Sequence, residues 1–177
     1  VFSFSGTPMG VVRRLAEAIG GIVRSHRTEY LVDVINRYPV LPNEWPLMAP
    51  DVQIAFEAIQ TDSYQRDDAP NYDGVYVSGQ QQGVVAHVYL QGTNGSNLPP
   101  LVTDVLLTDE PAARQRGMAI LGSSGPQAKV SMTLPFLARA GEPGAMEVGW
   151  IVKILDPAGV WFGVVRSVRI DADLSTA

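Results

Sequence analysis

Val11, Val12, Leu15, Ala16 and Ile19 recur at the spacing of one helix face. Thr7-Pro8 in front of them reads as an N-cap and a first helical residue. Gly20-Gly21 behind them stops the helix, one of the pair in the left-handed conformation. The pattern predicts an amphipathic helix from Pro8 to Ile19. Residues 1–6 alternate apolar and small, as a short strand or arm does. Beyond the glycines, Ile22 to Ser25 and Tyr30 to Arg37 read as two strands around a short polar turn. Tyr38 to Pro50 carries Pro39, Pro42, Pro46 and Pro50 and is expected to be extended and irregular, because proline donates nothing to a sheet ladder. Trp45 inside it is expected to pin the segment to the core. Val52, Ile54 and Phe56 alternate and predict a strand over Val52 to Ile59, and Thr61 to Asn71 reads as a polar loop.

The middle of the chain is strongly β. Residues 72–79 and 83–90 flank Gln80-Gln81-Gln82 and predict a hairpin. Gly92 to Pro100 is a polar loop, and Asn94-Gly95-Ser96 fits a glycosylation triplet that also arises often by chance. Leu101 to Leu107 is extended. Thr108-Asp109-Glu110-Pro111 then starts a second helix, with the Thr108 hydroxyl as cap, two acids at the positive end and an early proline. That helix runs to about Leu121, with Ala112, Ala113, Met118, Ala119 and Leu121 on one face and Arg114 and Arg116 outside. Ala128 to Leu137 reads as a strand with a bulge or edge at Pro135, and Ala138 to Met146 as a turn-rich connection. Val148 to Leu155 and Val160 to Ile170 predict a hairpin across Asp156 to Gly159, and residues 171–177 form a polar tail.

These elements make an α+β chain, mainly β, with β-barrel-like domains and two short amphipathic helices at about 8–19 and 109–121. The expected organisation is an N-terminal helix plus β region over 1–100 and a helix plus C-terminal barrel-like region over 101–177. The two are expected either as separate regions or as one intertwined unit. Composition agrees with the class. Of 177 residues, 17 are Gly and 13 Pro, many for a mostly helical protein, and 46% are apolar, enough for a core. The net charge of −5 argues against a nucleic-acid binder that works through bulk positive charge. The absence of cysteine excludes disulfides, thiolate metal sites and a cysteine nucleophile. No apolar run approaches the roughly 20 residues of a membrane span. Among the basic residues 11 are Arg and only Lys129 and Lys153 are Lys. Such a bias suits a protein that lives in contacts, and a GC-rich genome produces it too.

Candidate chemistry is sparse. His26 and His87 lie 61 residues apart without zinc-ligand spacing and read as turn and strand residues. No G-x-S-x-G elbow, Walker A motif or G-x-G-x-x-G fingerprint occurs, and Gly122-Ser123-Ser124-Gly125 reads as a helix-ending loop. Asp104, Asp109 and Glu110 are the carboxylates a glycan hydrolase would need, but Asp109 and Glu110 are better placed to stabilise a helix start and Asp104 to end a strand. Asp67, Asp68 and Asp73 lack the ligand pattern of a calcium loop and read as a solvated acidic stretch. Tyr30, Tyr38, Trp45, Tyr72 and Tyr76, and likewise Trp150 and Trp161, read as packing residues rather than a sugar-binding face. No catalytic residue, metal site or cofactor is expected.

The order of several motifs says more. A helix leads into Gly20-Gly21-Ile-Val, a hairpin, and Arg37-Tyr38-Pro39-Val40 with Trp45 after it. Tyr72-Asp-Gly-Val-Tyr-Val-Ser-Gly79, Gln82-Gly83-Val84 and Gly92-Thr93-Asn94-Gly95 follow. Then come Leu106-Leu107-Thr108-Asp109 with Ala112 to Gly117, Val130-Ser-Met-Thr-Leu-Pro135 and Trp161-Phe-Gly-Val-Val-Arg-Ser-Val168. Over roughly residues 11–170 this series resembles the tail hub, or baseplate hub, proteins of long-tailed bacteriophages. The resemblance implies a non-enzymatic virion structural protein at the distal end of the tail tube, on the tail tip or baseplate. It implies barrel-like domains in a homotrimeric ring, with tail-tube, distal-tail and tip or fibre proteins as partners and a passage for DNA. Such hubs are commonly longer, and this chain starts at Val1, almost at its first helix. It is therefore expected to be a processed or partial chain, or a hub divided over more than one polypeptide. Arg114, Arg116, Trp150 and Trp161 are the candidate subunit contacts. The alternatives are a carbohydrate-binding attachment module of the tail tip, with an exposed aromatic row supplied by Trp150 and Trp161, and a cell-wall hydrolase.

Overall fold

The computed structural model of the chain describes residues 3, 5–26, 28–80, 83–136 and 144–171. The first helix, α1 (Pro8–Ala18), begins where the sequence places it: Thr7 is extended and its hydroxyl accepts from Gly10 N at 3.2 Å. It ends at Gly20, whose φ of +75° only glycine adopts without strain. Strands β1 (Gly21–Ser25) and β2 (Val32–Asn36) follow as an antiparallel ribbon in which Ile22 faces Ile35 and Arg24 faces Asp33. The proline-rich segment corrects the expectation of an extended run, since Pro42–Leu47 coils into a 3-10 helix. Pro42 opens that helix, where its missing N–H costs nothing. Trp45 is buried there. Next, β3 (Val52–Ala55) is shorter than the alternation suggests, because Phe56–Ala58 turns into another 3-10 helix.

The stretch read as a polar loop is a strand, β4 (Thr61–Asp68), with all eight residues exposed. Polarity hid it: no side chain is covered, so no burial period exists to be read. Strands β5 (Gly74–Gly79) and β6 (Val85–Tyr89) form the expected hairpin, and β7 (Val102–Asp104) joins β5 in parallel. Helix α2 (Glu110–Gly122) is capped by Asp109 rather than Thr108; its carboxylate accepts from Ala112 N at 2.8 Å. An ionised acid at a helix start gains from the helix dipole as well as from the hydrogen bond, which favours it over the hydroxyl. Strand β8 (Pro126–Thr133) pairs with β4 as a second two-stranded ribbon. The closing hairpin is β9 (Ile151–Asp156) and β10 (Gly159–Val164), so the last strand stops well before Ile170. Gln81 and Gln82, part of the N-terminal arm, the connection at 137–143 and the tail at 172–177 lie outside the described residues.

The architecture is thus α+β, mainly β, in four small sheets of two or three strands, and among the described residues no sheet closes into a barrel. The chain divides into two compact units, one of residues 1–44 and 63–131, the other of 45–62 and 132–177. In the first, α2 lies on the sheet β6-β5-β7 over a core of Leu41, Val75, Val77, Ala86, Leu107, Ala113 and Leu121. Gly117 makes the close approach possible: a Cβ there would stand 2.6 Å from Val88 Cγ2. The second unit is the sheet β10-β9-β3 around Ile54, Val152 and Ile154, with Trp161, Met132 and Met146 at its margin. Its β3 runs parallel to β9, and Asp51 continues the pairing, its carboxylate accepting from Ile151 N at 2.7 Å. Fully burying Ile54 or Ile154 stabilises the unit by about 1.5–3 kcal/mol each.

Candidate interaction surfaces

Each carboxylate considered for catalysis is held in a structural contact. Asp104 ends β7, is only 11% exposed, pairs with Arg14 at 2.7 Å and accepts from Leu106 N at 3.0 Å. Asp109 caps α2, and Glu110 binds Arg114 one turn on, at 2.6 Å. Asp73 accepts from Asn97 N at 2.7 Å, and Asp68 pairs with Arg66 on the exposed strand β4. Among the described residues no group of acids and histidines is arranged to hold a metal. The Ser123 and Ser124 hydroxyls donate to carbonyls at the end of α2, and Ser124 Oγ also lies 3.3 Å from Tyr72 O. Asn94 and Ser96 close a turn on each other at 2.8 Å. His26 Nδ1 accepts from Glu29 N within its turn. A cleft of about 240 Å³ in the first unit is lined by Pro42, Asn43, Asn71, Leu121 and Gln127 among others, with no titratable side chain.

The proposed contact residues divide. Arg114 stands on the open side of α2, mostly exposed and paired, among the described residues, with Glu110. Arg116 does not lie outside, as helix periodicity suggests. It is half-buried; its Nη1 donates to Glu17 O in the last turn of α1 at 2.6 Å, and its Nε is buried with no partner among the described residues. Desolvation lowers the Arg116 pKa from its ordinary value, with the Arg14 and Arg37 charges acting in the same direction against Asp104 and Glu17. The periodicity misses this because the contact is with another helix: a Cβ on Gly20 would stand 2.9 Å from Arg116 Cα. A cation at the carbonyl end of α1 is favoured by the helix dipole. Trp150 and Trp161 are both half-buried. Trp161 packs on the Ile54–Ile154 core, so it supplies no free aromatic row.

Exposed aromatic surface lies elsewhere. Tyr38 and Trp45 are buried and Tyr72 half-buried, as packing residues, while Tyr30 is fully exposed. On the open face of the hairpin, Tyr76 and His87 stack across the strands with ring centroids 4.2 Å apart, and Tyr89 follows His87 at 5.4 Å. Alternation along residues 85–89 places His87 and Tyr89 on one face; only the hairpin register adds Tyr76.

No family model matches the chain, and no curated protein matches it. Among solved structures, a 43 kDa tail protein of prophage MuSo2 from Shewanella oneidensis superposes over 89% of this chain with a TM-score of 0.46 and 14% identity. The chain spans 46% of that protein's length. A superposition this loose does not establish a common fold.

Proposed function

We propose that this chain is a structural component of the tail of a long-tailed bacteriophage, acting by assembly at the distal end of the tail tube as part of the hub. The observation that carries the reading is the state of its surface. Four sheets of only two or three strands leave open edges, and a ribbon such as β1-β2 is marginal unless something covers it. Large apolar side chains stay in solvent along both ribbons, at Leu31, Val32 and Val34 on one and Tyr64 on the other. The candidate catalytic acids, by contrast, are engaged in caps and ion pairs. A protein that completes its sheets against neighbours has this character, and the ordered motifs over residues 11–170 point to the hub. In this reading the chain forms a homotrimeric ring with tail-tube, distal-tail and tip proteins as neighbours. Arg114, Trp150 and Trp161 contribute at contacts, and acidic residues face a DNA passage, where like charge prevents sticking.

A cryo-EM map of the intact source particle tests the proposal. Ring density at the tail tip that fits this chain in several copies is the expected result; absence of the chain from the particle, or a place on a peripheral fibre, refutes it. The Tyr76–His87–Tyr89 row favours one second reading, a carbohydrate-binding attachment module. Glycan binding that Tyr89→Ala removes would select it.

A further inference from the structure

Arg116 leaves one edge of its guanidinium unused. Its Nη1 donates to Glu17 O at 2.6 Å, while Nε is buried without a partner and Nη2 makes no bond among the described residues. Nε and Nη2 form the fork that grips two oxygens of a single carboxylate or phosphate. Arg114, two residues earlier, commits the same edge to Glu110 Oε1, at 2.9 and 2.6 Å. A buried donor is costly to leave without an acceptor. Arg37 stands beside Arg116. Its N–H donates to Gly20 O at 3.2 Å, and Gly20 lies so close to α2 that a Cβ there would stand 2.9 Å from Arg116 Cα. The Arg37 side chain is exposed and makes no ion pair among the described residues.

The carboxylates at this corner do not answer the two groups. Asp104 is engaged on both oxygens, Oδ2 by Arg14 at 2.7 Å and Oδ1 by Leu106 N at 3.0 Å. Glu17 meets Arg116 through its carbonyl, and its exposed carboxylate bonds nothing among the described residues. Burial lowers the Arg116 pKa; Asp104 and Glu17 oppose the shift, and Arg14 and Arg37 add to it. Three cations thus face two anions where α1, the end of β2 and α2 meet, and one more anion would relieve both the unpaired donor and the repulsion.

We infer that this corner, between Arg37 and the free edge of Arg116, binds an oxyanion with two oxygens on one centre, a phosphate or a carboxylate. Arg116 supplies the two-pronged edge and Arg37 a second charge; Arg14, held by Asp104, adds charge alone. Arg116 is also bonded to the end of α1, so a ligand held here ties α1, β2 and α2 together and stabilises the first unit. The site stands apart from the tail reading and survives its failure.

Urea unfolding of the full chain in rising inorganic phosphate, at an ionic strength held constant with chloride, tests it. The α-helices lie in the first unit and the tryptophans in the second, so circular dichroism and fluorescence follow the two separately. Phosphate that is merely excluded from protein surfaces stabilises both units. Bound phosphate should raise the first midpoint alone, with a Kd of about 1 mM or tighter. Arg37→Gln, at an exposed position, should weaken binding at least about tenfold, and so should Arg116→Lys, which keeps the charge and loses the fork. Glu17→Gln should tighten it by removing a like charge. Lys129→Gln, which removes an exposed charge on β8, should leave it unchanged. Acetate in place of phosphate separates the sources: an equal response assigns the site to a carboxylate, a response to phosphate alone to a phosphate group, and either upholds the site. Equal rises in both units overturn the inference. So does a response that survives Arg37→Gln and Arg116→Lys, or one that Lys129→Gln weakens as much.

Discussion

Replacing Gly117 by alanine sets two effects of opposite sign against each other. In an ordinary helix the change gains about 1 kcal/mol. Here the new Cβ would stand 2.6 Å from Val88 Cγ2, 2.9 Å from Val88 Cβ and 3.4 Å from Val75 Cγ1. Carbon atoms rest at about 3.5–4.0 Å. Rotating the valine moves Cγ2 away but leaves its Cβ fixed to the β6 backbone, so the helix or the strand must shift. Overpacking of this kind costs about 1–3 kcal/mol, and a backbone-anchored clash belongs at the upper end, for a net loss of about 1–2 kcal/mol. The assay is favoured by an accident of composition. Both α-helices belong to the first unit and Trp45, Trp150 and Trp161 to the second. Far-UV circular dichroism therefore follows the first unit and tryptophan fluorescence the second. In urea, Gly117→Ala should lower the dichroism midpoint by roughly 0.5–1 M and leave the fluorescence midpoint in place. Val88→Ala should itself cost about 1–2 kcal/mol, and the double variant should be less destabilised than the sum by about 1 kcal/mol, because the new methyl enters the vacated space. A stabilised Gly117→Ala protein, or strictly additive effects, would refute the close approach of α2 to the sheet.

Ile154→Ala should move the fluorescence midpoint by about 2–5 kcal/mol in stability and spare the dichroism. Asp109→Ala should cost the first unit about 1 kcal/mol by uncapping α2, whereas Thr108→Ala should cost little; equal losses would return the cap to the hydroxyl. Arg116→Ala should destabilise the same unit by about 1 kcal/mol through the lost bond to Glu17 O, measured by urea titration. Arg114→Ala should leave the midpoint within about 0.5 kcal/mol and is the cleaner probe of assembly.

Much of the chain was legible because its signals are local. Thr7 and Gly20 mark the ends of α1, and the alternation through 74–89 marks the hairpin. The failures share a cause: information held by another segment. β4 has no covered face of its own, and Arg116 is drawn inward by the end of α1. Pro42 and Pro46, which argue against a strand, say nothing about which helical turn replaces it. In the site the carboxylates were legible as caps and strand ends, but the Tyr76–His87 stack needs the register of two strands.

The parallel pairing of β3 with β9 also bears on how the protein is made. Ile54 is fully buried, yet the strand that covers it lies about 100 residues further along the chain. On the ribosome the β5-β6 hairpin completes from neighbouring residues and α2 follows soon after, while β3 waits with its apolar side in water until residues 151–156 emerge. Synthesis thus imposes a fixed order of maturation. A nascent chain released before its closing hairpin carries a finished β5-β6 hairpin beside an open strand, the species most exposed to chaperones and to aggregation.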